Sequence, residues 1–110
     1  IEIRAAKDID DPNDPVALDF WKSITALENE LSEERGKTIR LSRTRQKIAR
    51  VGVEKTLADL ALQAQPSDGY HLLKARGMLD LSAEAVVLRY PKRFAQEVLE
   101  AAQLRLNPET

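Results

Sequence analysis

The chain has 110 residues, 43% of them hydrophobic and 32% charged, with a formal net charge of −1 and no cysteine. These figures fit one globular domain with an apolar core. They exclude disulfides, thiolate chemistry and any global field strong enough to gather polyanions or hold an acidic membrane. The aromatics are few (Phe20, Trp21, Tyr70, Tyr90, Phe94), so the core must be built mainly from Leu, Ile, Val and Ala, which suits helix-on-helix packing better than a sheet.

Residues 1–14 read as an acidic, Pro-containing extension, too charged between Asp8 and Pro15 for regular structure. Its end makes a helix start, with Asp14 as N-cap and Pro15 as the first helical residue. A first helix is predicted from about Pro15 to Arg35, closed by Gly36. Its Phe20, Ile24, Leu27 and Leu31 are spaced four, three, four and draw one narrow seam that wants a partner helix. A second helical stretch is predicted from Ser42, read as an N-cap, toward Gln65, where Pro66-Ser67-Asp68-Gly69 breaks it. Its apolar face switches at Gly52, from Leu41, Thr44, Ile48 and Val51 to Val53, Leu57, Leu60 and Ala64. Either the helix breaks there into two short ones or it continues, and the helix-compatible residues around the switch favour one long helix with a bend or face change. Tyr70 to Arg76 reads as a short helix closed by Gly77. Ser82 caps another, stopped by Pro91, although Glu84 to Tyr90 taken alone would pass as a strand. A last helix runs from about Arg93 or Ala95 to Leu106, before Asn107-Pro108. The expected fold is all-α: a long antiparallel helical hairpin plus two to three shorter helices, a single compact domain over residues 15–107 with a tail at 108–110.

The near-neutral total conceals a polarity: residues 1–34 carry a net −7, residues 35–55 a net +7, and residues 56–110 a net −1. Within the basic block, Arg40, Arg43, Arg45, Lys47 and Arg50 are the candidate contacts for a polyanion or an acidic partner. Arg40, Arg43, Lys47 and Arg50 recur at three, four, three, a stripe beside the Leu41/Ile48/Val51 seam, where neighbouring helices exchange ion pairs. In the first helix Glu30 and Glu34 flank the seam on one side and Glu28 on the other. A short connection near Gly36 would bring these acids against the bases, and this pairing is the preferred reading of the block. The alternative is nucleic acid, for which five arginines against three lysines, with the hydroxyls of Thr38, Ser42 and Thr44, are suited to phosphate contacts. No aromatic interleaves with the arginines, which argues against stacking on single strands. Ile48 to Leu57 fits a helix-turn-helix poorly. Ile48 stands where a small residue is needed, and Thr56 to Ala64 has no Arg or Lys with which to read bases.

Chemistry is sparse. One histidine and no cysteine leave no metal cluster, and His71 is expected to be a hydrogen-bonded packing residue. The serines lack a nearby base, and Ser42, Ser67 and Ser82 read as caps or turn residues. Glu28-x-Glu30 and Glu33-Glu34 could hold a hard cation, but such carboxylates usually only solvate a helix face. The four glycines are scattered and each punctuates a helix, so no phosphate loop exists. No catalytic residues, cofactor or small-molecule substrate are expected. No apolar run approaches membrane-spanning length, no signal-peptide pattern opens the chain, and the basic helix lacks a wide apolar face, so no membrane contact is expected and the cytoplasm is the expected compartment. The function expected from sequence is that of a small non-catalytic helical module acting by self-association, as a homodimer, or by binding a protein partner. The alternative is nucleic-acid binding through residues 35–55.

Overall fold

A computed structural model of the chain describes residues 13–107. The all-α expectation holds: among the described residues there are six α-helices, two 3-10 turns and no strand. The chain divides into two units, Ile1–Thr56 and Leu57–Thr110.

In the first unit α1 spans Pro15–Arg35. Its start is the one the sequence specifies. Asp14 accepts the Val16 N–H at 3.0 Å, Pro15 occupies the first turn, and Gly36 closes the far end in the left-handed region (φ 68°, ψ 22°) with its N–H on the Ser32 carbonyl. The buried row is Val16, Ala17, Phe20, Ser23, Ile24 and Glu28, while Leu27 and Leu31 are only half-buried. The apolar seam therefore starts one turn earlier than its spacing suggested and ends on a carboxylate.

The second helical stretch differs from expectation. It is two helices, α2 (Ser42–Val51) and α3 (Val53–Leu62), separated by Gly52 at φ 93° and ψ 167°. Nothing but glycine adopts that backbone comfortably, so the chain breaks where its apolar face switches. The Gly52 carbonyl then starts α3, accepting the Thr56 hydroxyl at 2.8 Å and the Thr56 N–H at 3.2 Å. Ser42 is not a cap: Leu41 precedes α2 with no side-chain cap of its own. α3 stops at Leu62, before Gln65, and its buried row is Val53, Thr56, Leu57 and Ala61, with Ala64 exposed.

In the second unit α4 (Asp68–Ala75) begins on Ser67, whose hydroxyl accepts the Tyr70 N–H at 3.1 Å, so Gly69 lies in its first turn and does not punctuate it. It ends in a Schellman arrangement, with Met78 N–H on the Leu73 carbonyl at 2.8 Å and Gly77 left-handed at φ 70°. A 3-10 turn (Leu79–Leu81) leads to α5 (Ala83–Arg89), capped by Ser82 through Ala85 N–H at 3.1 Å. A second 3-10 turn (Pro91–Arg93) leads to α6 (Gln96–Leu106), which packs on α5. Glu84–Tyr90, strand-like in isolation, is thus mostly helix. Leu57, Val86, Val87 and Ala102 are completely buried, and Tyr70, Leu73 and Val98 nearly so.

Candidate functional site

The acidic and basic blocks meet at one joint. Beyond Gly36 the chain doubles back, and Ser32 of α1 accepts the Ile39 N–H at 2.8 Å. One turn earlier, the buried Glu28 accepts the Leu41 N–H at 2.8 Å on Oε2. Arg45 of α2 grips the same carboxylate with a fork, Nε to Oε2 and Nη2 to Oε1, both at 2.7 Å. The guanidinium carbon lies 5.3 Å from the centroid of the Trp21 ring, one face of the cation over an aromatic and its edge on an acid. Glu28 thereby fixes both the start of α2 and its rotation about its own axis.

The Arg45 hydrogen bond, helped by Leu41, outweighs burial and holds the Glu28 carboxyl below its ordinary value of 4.5. A carboxyl depressed in the folded state contributes stability that is complete above its unfolded value and is lost as pH falls through the folded one. Wild-type stability should therefore fall more steeply below about pH 4.5 than that of Glu28→Gln, whose amide does not titrate. Urea midpoints of both proteins at several acidic pH values test this, and parallel curves would show that the joint carries no pH-dependent stability.

With the rotation of α2 fixed, the five basic candidates separate. Arg45 turns inward to Glu28, and Lys47 is half-buried and engaged in an interaction of its own. Arg40, Arg43 and Arg50 are exposed. The single buried residue of α2 is Ile48. At about 100° per residue, Arg43, Gln46 and Arg50 lie roughly 140–160° around the helix from it. Arg43 and Arg50 thus face away from the packed side, not beside it as the spacing suggests, because only a narrow strip of α2 is buried, whereas Arg40 precedes the helix. Gln46 is exposed between them, with Ser42 and Ala49 also exposed on the neighbouring surface. No Asp or Glu occurs between Ser42 and Val51. Gln46 carries no charge, so a charge pattern passes over it; the signal in the sequence is its place beside Arg43 and Arg50 on the helical wheel and between them along the chain.

A second polar cluster, to which the charge pattern does not point, lies in the other unit. Arg105 of α6 pairs with Glu84 of α5 at 2.9 Å, and the two side chains are only 11% and 4% exposed. The same guanidinium donates to the Leu60 carbonyl at 3.0 Å and to the Gln63 carbonyl, closing the C-terminal end of α3. The Tyr70 hydroxyl donates to the Arg105 carbonyl at 2.8 Å. Burial, with the Glu84 charge beside it, pushes the Tyr70 hydroxyl above its usual value, which keeps it protonated as a donor. The sequence hint was a lone charge in each of two apolar stretches, Glu84 after the Ser82 cap and Arg105 between two leucines.

His71 is exposed on α4 and meets the Tyr70 ring edge-on at 6.3 Å, so it is not the packed residue expected of it. Among the described residues no group of three or more His, Cys, Asp or Glu side chains could hold a metal ion, and no helix is long and apolar enough to cross a membrane. Comparison of the chain with protein-family models, curated proteins and solved structures finds no match.

Proposed function

We propose that the chain is a non-catalytic binding module whose working surface is the outward face of α2, and that this surface engages a polyanion, nucleic acid being the class that suits it best. The observation that carries this reading is the composition of that face. Arg43, Gln46 and Arg50 are exposed opposite Ile48, on a helix with no acidic residue. Arginine is suited to forked contacts with phosphate, and a local basic face can act even where the chain as a whole is nearly neutral. A chain without cysteine needs no oxidising compartment, and the cytoplasm is the setting we propose for it.

The test is fluorescence anisotropy of labelled duplex DNA and RNA titrated with the protein at about 50 and 200 mM salt. Contacts with two to four phosphates predict a log–log salt slope of about −2 to −4 and an affinity lost in Arg43→Glu plus Arg50→Glu, with the far-UV circular dichroism spectrum unchanged. No binding at either salt would sink the proposal.

A second reading, helix-mediated self-association or binding of a protein partner, is favoured by Leu18, Leu62 and Leu104, which are 56%, 44% and 61% exposed. Single exposed leucines are ordinary on monomers, so this reading ranks below the first. It predicts a dimer mass by light scattering across micromolar concentrations that falls to the monomer mass in Leu104→Glu or Leu62→Glu.

A further inference from the structure

We infer that α2 is a reading helix for duplex DNA: its Arg43–Gln46–Arg50 face enters the major groove, with Gln46 contacting a base edge and Arg43 and Arg50 holding the helix on either side. This rests on the proposal that α2 binds nucleic acid and adds to it the form of nucleic acid, the groove and the residue that discriminates sequence.

The geometry selects the ligand. Ten residues make α2 about 15 Å long, and Arg43 and Arg50, seven residues apart, lie about 10 Å from each other along it and within about 20° of one direction. An α-helix fits the major groove of B-form DNA, roughly 12 Å wide, whereas the A-form major groove of duplex RNA is too narrow and deep for one. No aromatic residue lies between Arg35 and Lys55, so the block offers no stacking platform for single strands. An acidic protein surface would satisfy the arginines equally well but would leave the amide between them without a purpose. Glutamine presents a donor and an acceptor on one planar group and matches the adenine edge in the major groove. Ser42 and Ala49 beside it are small, so the helix can approach the base edges closely. Arg45 cannot share the task because Glu28 and Trp21 hold it on the inner side. Instead this joint sets the angle at which the outer face is presented.

Only one residue separates α2 from α3, so the three- to four-residue turn of a helix-turn-helix is missing and α2 would act alone. Recognition by one short helix without a basic domain behind it predicts modest affinity and strong dependence on salt.

The experiment is selection of duplex DNA from a randomised pool with the full 110-residue chain, followed by anisotropy titrations of the enriched duplex, a scrambled duplex, the matching RNA duplex and the single strand. The expected result is an enriched motif containing an A·T pair, bound about tenfold more tightly than the scrambled duplex. Gln46→Ala should abolish that preference, so that the enriched and scrambled duplexes bind with the same affinity. Arg43→Ala plus Arg50→Ala should weaken both duplexes alike. Salt-sensitive binding with no enriched motif, a preference that survives Gln46→Ala, or equal affinity for the RNA duplex would overturn this inference while leaving polyanion binding in place. Absence of binding to all four ligands would overturn both.

Discussion

Replacing Arg105 with alanine is expected to destabilise the Leu57–Thr110 unit by about 3–5 kcal/mol, the usual cost of removing one member of a buried ion pair. The substitution strands the Glu84 carboxylate, which is only 4% exposed, without its cation. It also removes the donor to the Leu60 and Gln63 carbonyls, so the end of α3 loses its cap together with the pair. For a unit of this size the melting temperature followed by far-UV circular dichroism should fall by roughly 12 °C or more. Arg105→Lys, which keeps the charge but not the fork, should fall in between. Replacing Arg105 and Glu84 together by methionine should recover much of the loss, because the penalty lies in the orphaned charge more than in the missing attraction. A melting temperature for Arg105→Ala within about 4 °C of wild type would mean that the cluster contributes little.

Gly52→Ala is expected to cost about 1–3 kcal/mol, the strain of holding a side chain at φ 93° and ψ 167°. One escape is open to the variant: alanine is the best helix former, and the chain could run straight from α2 into α3. That route is closed by burial. A continuous helix would carry Ile48 and Val51 on nearly the opposite side from Val53 and Leu57, and the buried positions of Ile48, Val53 and Leu57 could not all be kept. The expected outcome is a lower urea midpoint without added helicity. A gain in helical signal at undiminished stability would show that the break is dispensable.

The beginnings and ends of the helices were legible where a single side chain decides them. Asp14, Ser67 and Ser82 each bond a backbone N–H two or three residues away, and Gly36 and Gly77 adopt the left-handed turn that ends a helix. Local chemistry of that kind survives in the sequence. The joint of Glu28 with Arg45 spans 17 residues, and the contacts of Arg105 with Glu84, Leu60 and Gln63 span 21 to 45. No spacing rule reaches so far, so the sequence points to the stripe of Arg40, Arg43, Lys47 and Arg50 as the pairing one, whereas in the structure Arg45, off that stripe, turns inward and Arg43 and Arg50 turn outward. The sequence leaves the break at Gly52 as one of two alternatives for a related reason. Helix propensity around it is high, but propensity is a weak prior against the burial of two opposed apolar faces.

Trp21 is the chain's only tryptophan, and both tyrosines, Tyr70 and Tyr90, belong to the other unit. Because the Arg45 guanidinium lies 5.3 Å from the indole ring, intrinsic indole emission should change when that arginine leaves Glu28. Phenol absorption in turn reports on the surroundings of Tyr70, whose hydroxyl is tied to α6. The two halves therefore carry separate built-in chromophores. Whether they unfold together or one after the other can be followed by optical spectroscopy in a single unlabelled sample.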